Sequence, residues 1–189
     1  MKRDITQALV AEHRLILRML AILEKNARLT QAGEFDDYGF YLVAVDFIRN
    51  YADRFHHAKE EDVLFEALVE NGMPRANSPV AAMLVEHDHG RAYVKAMEEA
   101  ALAALAGATG KDGLIAANAL GYVALLQEHI AKEDGILYPL AERLIPAEKR
   151  DAIDAAYEAA ESRTASHFAR RYETLVARCE EERIEQAAA

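Results

Sequence analysis

Apolar residues recur at steps of three and four along four long stretches, the spacing of one buried helix face. The first stretch carries Leu9, His13, Ile16, Leu20 and Leu23; the second carries Val45, Ile48, Ala52, His56, Glu60, Val63 and Ala67. The third carries Met83, His87, Gly90, Val94 and Met97; the fourth carries Ile115, Tyr122, Leu126, His129, Glu133, Ile136 and Leu140. Turn signals separate them at Gly33, at Asn71-Gly72-Met73-Pro74, between Gly107 and Gly113, and at Pro146. Ser78-Pro79 reads as an N-cap and first helical residue, and Asp112 as a further N-cap. The pattern predicts helices near 4–31, 36–70, 79–106, 112–143 and 147–186, with no alternating run of the strand type. Short connections favour antiparallel neighbours. The expected fold is therefore all-α: an up-down-up-down four-helix bundle over residues 1–145, with residues 146–189 a helical extension of the same domain.

The stripes are not wholly apolar. Each is interrupted by a histidine, and two also by a glutamate. Ionised carboxylates are almost never fully buried unless paired or bound to metal, so four inward histidines and two inward glutamates need a common partner. The chain is also duplicated. Glu12-His13 matches Glu86-His87 at an offset of 74, and the segment from His56 to Phe65 matches the segment from His129 to Tyr138 at an offset of 73. Each half thus offers a lone histidine and a His-x-x-x-Glu pair, whose members lie one turn apart on one helix face and can reach one metal ion.

Chance would give seven histidines about 0.8 such pairs among 21 glutamates, and the chain has three: His56–Glu60, His57–Glu61 and His129–Glu133. Two of these keep the repeat register. Two metals bridged by both carboxylates and by one oxo or hydroxo group would each have five ligands and one open position. Imidazole and carboxylate with open positions suit non-haem iron, whereas a structural zinc site would be closed with four ligands. His57 and Glu61 form a competing register about 100° around the helix. The repeat favours His56 and Glu60, leaving His57 at the boundary or as an outer hydrogen-bond donor. His89, His167 and the glutamates that precede ligands (Glu12, Glu86, Glu128) read as solvated. Tyr122 reads as core or pocket lining, and Cys179 as an inert thiol.

The ordered set His … His-x-x-x-Glu … His … His-x-x-x-Glu, carried by HHAKEEDVLFEAL, EHDHGRAY and EHIAKEDGILYPL, resembles the hemerythrin-like cation-binding proteins over about residues 4–143. The resemblance implies a di-iron centre inside the bundle, with His13, His56, Glu60, His87, His129 and Glu133 as ligands. Oxygen-carrying members pair a fifth histidine as His-x-x-x-His on the third helix. Arg91 stands at that place, which argues against reversible oxygen transport. Iron–sulfur repair members carry a further cysteine-containing domain before the bundle, which is not expected here. Ferritin-like di-iron proteins need Glu-x-x-His twice, and only Glu86–His89 fits.

Charge narrows the partners. Lys and Arg number 22 against 32 Asp and Glu, a net charge of −10, so nucleic acid is not an expected partner. The longest uncharged stretch, from Gly113 to Gln127, is too short to span a bilayer, and the charged N-terminus is unlike a signal peptide. One cysteine suits a reducing, cytoplasmic setting. No nucleophile triad, phosphate loop or nucleotide motif accompanies the cluster. The leading expectation is a di-iron protein that binds oxygen, nitric oxide or peroxide, in oxidative or nitrosative stress. Next comes a non-catalytic redox sensor or iron reservoir, and last a metal-free interaction module. Self-association through the charged C-terminal helix is a further expectation.

Overall fold

The computed structural model describes residues 4–188, with side chains to residue 181. Residues 1–3, and the Glu182 and Arg183 side chains of the terminal charged run, lie outside that description. Helices start where the chain supplies an oxygen for unpaired N–H groups. The Asp4 carboxylate accepts from the Thr6 and Gln7 N–H groups at 3.0 Å, ahead of α1, Gln7–Ala32. Gly33, at φ 75°, closes that helix in the left-handed conformation a side chain would strain. Asp37 caps α2, residues 38–70, and Ser78 caps α3, Pro79–Leu105, each accepting an N–H three residues on at 3.3 Å. In α4, Asp112–Leu144, the expected cap Asp112 is instead the first helical residue, and its carboxylate accepts from the Tyr38 hydroxyl at 2.6 Å.

The four helices close into a ring in which α1 packs on α2 and α4, and α3 packs on α2 and α4. By length and composition alone α4 is apolar enough to cross a membrane. Here it is a wall of the bundle. The apolar core is in two parts. One lies toward the 33–37 turn and includes Met19, Leu23, Tyr41, Met97 and Ala119; the other lies at the opposite end and includes Leu9, Leu68, Met83, Leu137 and Ala141. The polar residues of the stripes form a layer between them.

Past that layer, α2 and α4 depart from the expected phase. Backbone hydrogen bonds widen to five residues over Ile48–His57, Glu60–Leu64 and Glu133–Leu137. Thus Ala58 N–H donates to the Asp53 carbonyl, Phe65 to Glu60, and Tyr138 to Glu133. A π-turn takes up about one extra residue, so the buried face slips by one position. Leu64, Leu68, Leu137 and Ala141 are buried where Val63, Ala67, Ile136 and Leu140 were expected, and Ile136 is 56% exposed. Pro139 follows the wide turn of α4, but its repeat mate in α2 is Glu66, so proline is not the common cause.

The extension, expected as one helix, is two: α5, Arg150–Glu161, and α6, Phe168–Ala188. Between them the Ser162 and Thr164 hydroxyls donate back to the Ala159 and Glu161 carbonyls, and His167 takes a φ of 72°. Such local side-chain bonds compete with helix continuation. Both helices lie on the bundle. α5 buries Ile153 and Tyr157 against one core region, and α6 buries Tyr172, Val176 and Cys179 against the other.

Candidate metal centre

All six residues expected as ligands converge in the polar layer: His13 from α1, His56 and Glu60 from α2, His87 from α3, His129 and Glu133 from α4. None is more than 2% exposed. His57 joins them at 6% exposed, because the wide turn of α2 brings two consecutive histidines to the interior. Two overlapping groups result, His13, His56, Glu60 and Glu133 in one, and His57, Glu60, His87 and His129 in the other. Within each group one ligand atom per residue lies within 4.8 Å of all the others.

Every one of the five imidazoles presents Nδ1 to a carboxylate. His13 faces Asp134 at 2.8 Å, His56 faces Glu12 at 2.8 Å, and His57 faces Asp53 at 3.4 Å. His87 faces Glu61 at 2.7 Å, and His129 faces Glu86 at 2.9 Å. A proton donated from Nδ1 leaves the Nε2 lone pair free for a metal, the usual arrangement of carboxylate-oriented histidine ligands. The Nε2 atoms of His87 and His129 lie 3.0 Å apart. His13 and His129 approach the two oxygens of Glu133 at 3.3 and 3.2 Å, and His56 and His87 approach Glu60 Oε2 at 3.7 and 3.6 Å. Each glutamate therefore spans two histidines, as a carboxylate bridging two ions must.

Three buried carboxylate oxygens among the described residues, Glu60 Oε2 and both of Glu133, find no aligned hydrogen-bond donor. An unsatisfied buried carboxylate is costly, and a cation supplies what is missing. The residues therefore fit a pair of metal ions. Without ions the cluster divides its charge with protons. Burial and the neighbouring Glu133 push Glu60 well above the usual carboxylate range. Burial also acts on Glu133, but the His129 and His13 imidazoles outweigh it and hold that group low. Burial pulls His13 down, yet the Asp134 and Glu133 carboxylates prevail and bring it to about 9. Burial and the facing His87 ring pull His57 down to about 4.

The outer partners repeat as the ligands do. Glu12 also holds Lys59, and Glu86 also holds Lys132, at repeat-related positions. Glu12 and Glu86, expected in solvent, are thus hydrogen-bonded into the centre from the neighbouring helix, whereas Glu128, His89 and His167 are exposed as expected. A helical wheel could not find these two partners, because Glu12 and Glu86 each serve a histidine on a different helix. Tyr122 is buried and lines a cavity of about 80 Å³ behind His57 and His87. Tyr138, unremarked in the sequence, donates its hydroxyl to Glu60 Oε1 at 2.6 Å and stands 3.3 Å from His13 Nε2.

No solved structure matches the chain. Among curated proteins, Rv1995 of Mycobacterium tuberculosis and Mb2018 of Mycobacterium bovis are each 24% identical to it over 147 residues, covering 77% of this chain. The chain spans only 57% of the length of those relatives. The model of the hemerythrin HHE cation-binding domain matches residues 4–141, the stretch that holds all seven inward histidines and glutamates. With the bundle, the duplicated ligands and that match in agreement, the chain belongs to the hemerythrin family of cation-binding proteins.

Proposed function

We propose that the chain holds two iron ions between its four helices and binds oxygen, nitric oxide or peroxide there, in defence against oxidative or nitrosative stress. The observation that carries this reading is the set of orphaned carboxylate oxygens of Glu60 and Glu133 among inward Nε2 atoms. Mixed imidazole and carboxylate donors suit iron. The scale of the surroundings supports a small ligand. The cavity beside the centre, about 80 Å³ and bordered by His57 and His87, has room for roughly two or three waters. The larger grooves, of about 620 and 650 Å³, contain none of the seven inward residues.

A sensor or iron-donor reading has one observation in its favour. Buried Lys59 joins Glu12, which holds His56, to Glu161 at the end of α5, so the extension touches the centre through one relay. Metal content and an absorption spectrum of protein from iron-supplied cells test both readings. About two irons per chain, with oxo-bridged ferric bands in the near ultraviolet, are expected. Steady consumption of peroxide or nitric oxide would favour turnover over sensing. Folded protein that refuses added ferrous iron would overturn the proposal. His129→Ala should lose most of the iron and His89→Ala none of it.

A further inference from the structure

The internal repeat relates the two metal positions, and it is broken at two residues that point into them. His57 corresponds to Ile130, and Tyr138 corresponds to Phe65. Every other member of the inner set has a like partner: His13 with His87, His56 with His129, Glu60 with Glu133. The breaks fall on opposite sides. His57 adds a third imidazole beside His87 and His129, its ring stacked on that of His87 with centroids 3.8 Å apart. Tyr138 stacks on His13, with centroids 5.5 Å apart, on the side that has only two imidazoles, His13 and His56.

From these breaks we infer that the two positions fill in a fixed order. The three-imidazole position of His57, His87 and His129 takes the first ion and keeps it; the position of His13 and His56 takes the second and releases it first. The inference rests on the reading that the cluster holds two metal ions. Its chemistry is ligand supply. Each position has four donors, three imidazoles with Glu60 in one and two imidazoles with Glu60 and Glu133 in the other, and imidazole nitrogen suits late divalent first-row ions better than carboxylate oxygen does. The Tyr138 phenol tilts the balance further. It holds Glu60 Oε1 at 2.6 Å and stands 3.3 Å from His13 Nε2, whereas Glu60 Oε2, which has no hydrogen-bond partner among the described residues, lies 3.6 Å from His87 and 3.7 Å from His56 and is open to both positions. An ion beside His13 must compete with the phenol. Repulsion from the ion already bound adds to the separation but does not choose the order; His57 and Tyr138 do.

Titration of metal-free full-length protein with cobalt(II), followed by visible absorption and calorimetry, tests the order. Two resolved equivalents are expected. His13→Ala should abolish the second event and leave the first at wild-type affinity. His57→Ile, which installs the residue the repeat carries at 130, should weaken the first event about tenfold or more. Tyr138→Phe, matching residue 65, should leave the first unchanged and tighten the second. Circular dichroism confirms that each variant is folded, and His57→Asn provides a polar alternative should the isoleucine not be accommodated. Loss of the first event in His13→Ala would overturn the order, as would a first event unmoved in both His57 variants; either leaves the two-metal reading intact. Folded wild-type protein that binds neither cobalt nor iron would overturn both.

Discussion

Glu86 illustrates how much of the site is decided one residue outside the ligands. Its carboxylate holds the Nδ1 proton of His129 at 2.9 Å and also takes Lys132. Glu86→Gln keeps the shape but loses the charge that fixes the imidazole and raises its basicity. Metal affinity should fall about 10- to 100-fold with the helical content unchanged. Glu128→Gln, at an exposed position also directly before a ligand, should change nothing, and equal metal loss in the two would refute the role given to Glu86. Protons give a second expectation at this scale. Without metal, and against the pull of burial, the Asp134 and Glu133 carboxylates hold His13 up to about 9, so it carries a proton at neutral pH, and burial with the neighbouring Glu133 pushes Glu60 well above the carboxylate range. A metal must displace the protons such groups hold, so rising pH favours loading and acid opposes it. Calorimetry in buffers of different ionisation enthalpy should find net proton release on loading, and no buffer dependence would contradict the assignment. The inward histidines and glutamates were legible because His-x-x-x-Glu is local and the repeat marks His13 and His87. The carboxylates facing His13, His56, His87 and His129 were not, because each reaches across from another helix.

At the scale of the helix, the sequence pattern held until the wide turns. Leu9, Ile16, Leu20 and Leu23 in α1, and Met83, Gly90, Val94 and Met97 in α3, are buried as their spacing predicts. Beyond Glu60 and Glu133 the phase slips by one residue, a shift that periodicity counted at 3.6 residues per turn cannot register. A separate widening over Ile48–His57 brings His57 inward beside His56, whereas in a uniform α-helix two consecutive residues cannot both face one centre. A pair of substitutions separates the two phases. Leu64→Ala removes a fully buried side chain and should cost about 2–5 kcal/mol in denaturant unfolding. Val63→Ala, on the stripe that a uniform helix would bury, should cost clearly less, about 1 kcal/mol or under. The reverse ranking would mean that the α2 turn is not widened in solution.

For the whole molecule, the bundle folds around a layer that is unfavourable when empty. Two apolar regions are separated by five buried imidazoles and two buried carboxylates, three of whose oxygens lack an aligned donor. The unfolded chain does not assemble those ligands, so metal binds the folded state and stabilises it by mass action. At free metal about 1,000-fold above the dissociation constant, the gain is about 4 kcal/mol, or a rise in midpoint of about 8–16 °C for a chain of this size. The extension shares in this stabilisation, because Lys59, fully buried, ties Glu12 of α1 to Glu161 of α5 over the Phe55 ring. Calorimetric scans of iron-loaded protein before and after exhaustive chelation should therefore show the midpoint falling, with the α5 contact loosening in hydrogen exchange at the same time. An unchanged midpoint would mean that the layer is satisfied without metal, by protons and internal pairs alone, and that burying it serves the fold rather than an ion.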